Sequence, residues 1–91
     1  MTFRIIEESD RVSAVDEDDV EIVGAYRPRG HTYFLLYATQ LTMRKTGVRI
    51  LHRAAFWDNG SGHARTDARH WVEMIASLYT GVALKGDENV A

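Results

Sequence analysis

The 91-residue chain is 45% hydrophobic and 26% charged, has a formal net charge of −2 and contains no cysteine. A chain of this size buries only about 60–65% of the surface it exposes when unfolded, which excludes a second domain and leaves one modest core over residues 1–91. The lack of cysteine excludes thiol nucleophiles, disulfides, iron–sulfur clusters and cysteine zinc sites, and the lack of a long apolar run predicts a cytoplasmic protein that neither spans nor binds a membrane.

At the N-terminus, Phe3 to Ile6 and Val12 to Val15 are short β-prone runs that predict a hairpin or one irregular strand inside an acidic segment, residues 1–19. Asp16 to Asp19 reads as a solvated turn. Its Asp16-x-Asp18 spacing fails as a calcium loop, because Val20 and Glu21 stand where an oxygen ligand and a glycine are needed. A three-stranded antiparallel sheet is predicted over 20–57. Its first strand begins at Val20 and is followed by Arg27-Pro28-Arg29-Gly30, with Pro and Gly placed as in a type I turn. The second strand runs from His31 to Met43 and the third from Val48 to Trp57, with Arg44 to Gly47 as the turn between them.

This register sets Met43 against Val48, Leu41 against Ile50, Thr39 against His52, Tyr37 against Ala54 and Leu35 against Phe56. Across the earlier turn, Gly24 meets Tyr33, Ile22 meets Leu35 and Val20 meets Tyr37. All of these share one side, the predicted core face. A one-residue slip would turn Glu21, Gln40, Arg49 and Arg53 inward. Thr66 or Asp67 caps a helix over 66–81, with Ala68, Trp71, Val72, Ile75, Tyr79 and Val82 as its apolar stripe and Gly81 as its stop. Residues 84–91 are expected to fray. The expected fold is therefore α+β: a three-stranded meander, one or two short N-terminal strands and one C-terminal helix packed on one face. Its core is assigned to Ile22, Tyr33, Leu35, Tyr37, Leu41, Ile50, Ala54, Phe56, Trp71, Ile75 and Tyr79.

The opposite face carries Val23, Phe34, Leu36, Leu51, Ala55 and Trp57 beside Arg49 and Arg53. Such a patch is too apolar to face water, so three coverings are expected of it. The acidic N-terminal segment, a protein, or nucleic acid would lie there. The reading adopted is a non-catalytic protein-interaction module, homo-oligomeric or bound to a host partner, with Phe34, Leu36, Leu51, Trp57, Arg49 and Arg53 as its interface. The size, and nine Arg against two Lys as in GC-rich coding sequences, suit a phage-type regulator or inhibitor of a host protein.

The alternative is a nucleic-acid-binding domain that reads DNA with the sheet, through Arg27, Arg29, Arg44, Lys45, Arg49 and Arg53. Residues 25–70 carry a net charge of +6 and residues 1–24 carry −6, so the basic middle could meet phosphate or its own acidic end. Over residues 20–82, three strands and a helix containing Ala68 and Trp71 resemble, in architecture alone, the plant ethylene-response DNA-binding domain and the arm-binding domain of tyrosine integrases. Tyr26-Arg27-Pro28 and Arg49-Ile50-Leu51 stand where the plant family's motifs would fall, so no family residue is carried over. His31, His52, His63 and His70 fit no metal motif, although His63, His70 and Asp67 could gather at the helix start. Asp58, Ser61 and His63 share one glycine-rich loop, too pliant for a triad. Neither a metal nor another cofactor is expected.

Overall fold

The N-terminal segment forms strands from its fourth residue onward. The computed structural model describes residues 2–50, 55–56 and 63–81, and within them β1 (Arg4–Glu7) and β2 (Arg11–Val15) make a hairpin. Its turn is closed by the Glu8 N–H, which donates to the Arg11 carbonyl at 2.7 Å. β2 then pairs with β3 (Glu21–Tyr26) across the acidic turn, where one Asp16 carboxylate oxygen accepts the N–H groups of Asp18 at 2.8 Å and Val20 at 3.0 Å. Asp16 thus satisfies the backbone of its own turn through its carboxylate. With β4 (Phe34–Ala38) and β5 (Ala55–Phe56), the strands form one antiparallel sheet in the order β1-β2-β3-β4-β5. The N-terminal segment does not cross a sheet face; it extends the sheet sideways.

The predicted second strand, His31 to Met43, stops at Ala38. Thr39 caps a short helix, α1 (Gln40–Thr46), by accepting the Thr42 N–H on its hydroxyl at 3.1 Å. Leu41, Met43, Arg44 and Lys45 are good helix formers, and the two cations sit in the last turn, where the helix dipole favours them. Gly47 takes φ 75 and donates its N–H to the Met43 carbonyl at 2.9 Å, so it ends a helix where a hairpin turn is predicted. Buried Thr42 ties α1 to the sheet by donating its hydroxyl to the Ile22 carbonyl at 2.8 Å. None of the pairings predicted across Arg44–Gly47 forms within the described residues.

The remaining registers shift accordingly. Gly24 lies opposite Tyr37 and Tyr26 opposite Leu35, four residues from the expected pairing. The tight turn is Pro28–His31, with Gly30 third at φ 80, and not Arg27–Gly30. Phe34 lies opposite Phe56 and Leu35 opposite Ala55, one residue from the expected Leu35–Phe56 pair. That single-residue difference puts Phe56 on the same face as Phe34 and not on that of Leu35. Leu51, His52, Arg53, Ala54, Trp57, the Asp58–His63 triad residues Asp58 and Ser61, Val82 and the tail over 84–91 lie outside the described residues.

α2 (His63–Thr80) starts three residues before the predicted 66–81 and stops where expected, with Gly81 at φ 78 donating to the Ser77 carbonyl at 2.8 Å. It buries Ala64, Ala68, Val72, Ile75 and Ala76 against Val12, Ala14, Val23, Ala25 and Phe34. The helix therefore covers the face that the sequence reading reserves for a partner. Of the predicted core, Ile22 and Ile75 are buried, and Ile50, Phe56 and Tyr79 pack partly against the core. Tyr33, Leu35 and Tyr37 are half-buried, and Leu41 and Trp71 are exposed.

Two physical causes invert the faces. A helix lined by Ala64, Ala68 and Ala76 approaches closely only over small residues, and Ala14, Val23, Ala25 and Ala38 provide them, whereas tyrosine hydroxyls need a polar partner or water. The argument against inversion, that it would bury charge, also dissolves. Gln40 belongs to α1, and Arg49 follows α1 outside any strand. Glu21 stays on the far face through a β-bulge: Ala14 pairs with Val23 and Val15 with Glu21, so the extra residue, Ile22, joins Val23 in the core.

Candidate protein interface

The sheet face turned away from α2 is built from three cross-strand rows. Arg4, Val15 and Glu21 form the first, Ile6, Ser13, Gly24 and Tyr37 the second, and Arg11, Tyr26 and Leu35 the third. Among the described residues no helix or strand lies over it. Its centre is made of small residues, Ser13 and Gly24, both buried, and Tyr37 lies across Gly24. A Cβ at position 24 would sit 2.5 Å from Tyr37 Cζ, so glycine here is the condition for the ring to lie flat on β3.

Two contacts hold Tyr37 in place. Its hydroxyl donates to Glu21 Oε2 at 3.0 Å, and its ring meets that of Tyr26 edge-on at a centroid distance of 5.9 Å. Burial of the phenol, followed by the hydrogen bond to Glu21 and that carboxylate's charge, pushes its pKa up to about 12. The phenol is thus kept neutral and donating. Around this rigid aromatic centre lie exposed Tyr26 and Ile6, half-buried Leu35, and the charges of Arg4 and Arg11. Arg4 pairs with Asp19 across the exposed surface.

The core side is fastened separately. Arg65 donates from α2 to the carbonyls of Glu8 and of Ser9, the latter at 3.1 Å, with its guanidinium 5.9 Å from the Phe34 ring centroid. Arg69 bridges Glu7 at 3.1 Å and Glu73 at 2.8 Å. These contacts pin the β1–β2 hairpin to the helix. Two of the bases that make residues 25–70 positive, Arg65 and Arg69, are thus spent within the fold.

The residues assigned to an interface from the sequence are dispersed. Phe34 is only 4% exposed and Leu36 packs half-buried against the same core under α2, so neither is available to a partner. Arg49 is exposed and lines a shallow cleft with Gln40, Met43, Arg44 and Gly47. Lys45 lies with its Nζ 4.3 Å from the centroid of the Tyr79 ring. Arg27 and Arg29 precede β4, whereas Arg44, Lys45 and Arg49 follow it. The basic residues are therefore separated by a five-residue strand of roughly 17 Å and make no single stripe. Leu51, Arg53 and Trp57 lie outside the described residues. His63, Asp67 and His70 are exposed on α2, and among the described residues no three metal-binding side chains converge.

Sequence reasoning missed exposed Ile6 and Tyr26 and half-buried Leu35 and Tyr37 as residues of the face away from α2. The available signal was chemical: three tyrosines at positions 26, 33 and 37 are poor occupants of a core with few polar partners. Among the described residues no helix is long and apolar enough to cross a membrane. No protein-family model, curated protein or solved structure matches this chain.

Proposed function

We propose that this chain is a small non-catalytic protein-interaction module of the cytoplasm, which uses the open sheet face and not the face beneath α2. The observation that carries this reading is the platform that no described helix or strand covers: Tyr26, Tyr37, Leu35 and Ile6 set around Arg4 and Arg11 on one sheet face. Tyrosine and arginine with aliphatic neighbours are the side chains that dominate binding energy at protein interfaces, and a platform fixed before contact loses little entropy on binding. A second copy of the chain, or a host protein held by a phage-type regulator or inhibitor, suits such a surface.

One observation favours the second reading, a nucleic-acid-binding domain: the cleft where Arg44 and Arg49 lie exposed beside Lys45. The two readings differ in their response to salt, because phosphate contacts release counterions and apolar contacts do not. Light scattering of the whole chain over a range of concentrations should show association that persists in high salt and is lost in Ile6→Asp. Monomer at every concentration, together with binding to a mixed-sequence DNA duplex that weakens steeply with salt and fails in Arg44→Ala/Lys45→Ala/Arg49→Ala, would overturn it.

A further inference from the structure

β1 ends the sheet, and among the described residues nothing pairs with its outer edge. Such an edge is a ready template for another strand, and natural proteins usually shorten or charge it. The direction of its free backbone groups can be derived. Glu8 bonds to Arg11 across the hairpin, and ladder bonds recur at every second residue. Arg4 and Ile6 therefore turn their N–H and C=O groups towards β2, whereas Ile5 and Glu7 turn theirs outward. The side chains alternate in the complementary sense, with Arg4, Ile6 and Glu8 on the open face and Ile5 and Glu7 on the α2 face. Ile6 is 37% exposed at the middle of this edge.

We propose that β1 is a self-pairing edge: two copies join their β1 strands antiparallel about a two-fold axis that passes between the two Ile6 residues. This rests on the reading of the chain as a protein-interaction module, and adds to the open face a second contact surface, the sheet edge, whose partner is a second copy. A two-fold axis must set one residue opposite itself, and β1 offers Ile5 or Ile6 as the centre. Centring on Ile5 sets Arg4 against Ile6 and Glu7 against Phe3, with no charge pair. Centring on Ile6 sets Arg4 against Glu8 on both sides of the axis, in the non-hydrogen-bonded positions where side chains come closest. It also lets the outward groups of Ile5 and Glu7 bond each other. Charge complementarity thus selects the Ile6 register, in which Arg4, exposed where it pairs with Asp19 of its own chain, also faces the partner's Glu8. The two sheets become continuous, and the two Tyr26–Tyr37 platforms lie on one side of the joined sheet.

A chain without cysteine makes the register directly testable. Opposite residues at a non-hydrogen-bonded position have Cα atoms about 4.5 Å apart, within the range a disulfide spans. Under mild oxidation, Ile6→Cys should therefore form a covalent dimer at least about tenfold faster than Ile5→Cys, whose nearest partner is Glu7. Arg4→Glu should weaken the non-covalent dimer of the otherwise unchanged chain about tenfold, and Arg4→Glu/Glu8→Arg should restore it, because the swap rebuilds both pairs. A salt-resistant dimer in which Ile6→Cys cross-links no faster than Ile5→Cys would overturn the edge register while leaving protein association standing. Monomer at every concentration, with salt-sensitive DNA binding, would overturn both.

Discussion

Phe34→Ala is expected to destabilise the fold by about 3–5 kcal/mol, and Trp71→Ala by roughly half of that or less. Phe34 is 4% exposed, sits opposite Phe56 at the β4–β5 pair and is buried under α2. Its removal leaves a cavity that neither the sheet nor the helix can close without moving Ala64 or Ala68. Trp71 has the larger side chain, but it is 43% exposed, so truncation forfeits less buried surface and opens no closed cavity. The order is the reverse of what size alone, or the helical stripe read from the sequence, would suggest. For 91 residues a total stability of about 5–14 kcal/mol is typical, so the Phe34 variant should lose much of its folded population on mild heating. Urea unfolding followed by circular dichroism measures both variants on one scale.

Ala68→Leu should be the second large effect, about 1–3 kcal/mol of destabilisation or more from overpacking. Ala68 is fully buried in the middle of α2, on the side that meets the sheet. Three added carbons there have no space unless the helix lifts, and a lifted helix also strains the Arg65 contacts with the Glu8 and Ser9 carbonyls. Helix propensity cannot be the cause, since leucine is nearly as good a helix former as alanine. Asp67→Leu provides the control: position 67 is exposed on the same helix, and the same side chain there should change stability by no more than about 0.5 kcal/mol. The same unfolding experiment compares the two.

The α+β class, the two β-prone N-terminal runs, the Asp16 turn and the helix ending at Gly81 were all legible because each rests on short-range chemistry, which does not choose between a hairpin and one irregular strand for those runs. A carboxylate satisfying nearby N–H groups, a glycine at positive φ and apolar residues at helical spacing need no knowledge of distant parts of the chain. α1 was not legible as a helix, since Leu41 and Met43 also alternate as a strand would, and the deciding contacts are the Thr39 cap and the long-range Thr42 bond to Ile22. That one difference removed the predicted Arg44–Gly47 hairpin, while the β3–β4 register moved because the chain turns at Pro28–His31 and β4 begins only at Phe34.

The candidate site was half legible. The sheet face holding Val23, Phe34 and Leu36 reads in the sequence as too apolar to face water, but α2, expected on the opposite face, is what covers it. The face away from α2 reads as the core when tyrosines are counted as apolar mass and not as side chains that need a polar partner. The bulge at Ile22, which keeps Glu21 beside Tyr37, has no signature in the local sequence. It arises from pairing with Ala14 and Val15 on a strand that the sequence reading left apart from the sheet.

The face assignment is tested most directly by solvent paramagnetic relaxation in nuclear magnetic resonance, with a soluble gadolinium chelate added to the whole chain. The Tyr26 ring and the Leu35 methyl groups should relax strongly, while the methyl groups of Val23 and Ala25, both 0% exposed, should be almost unaffected. Strong relaxation at Val23 and Ala25 with protection of Tyr26 and Leu35 would place α2 on the other side of the sheet and contradict the account.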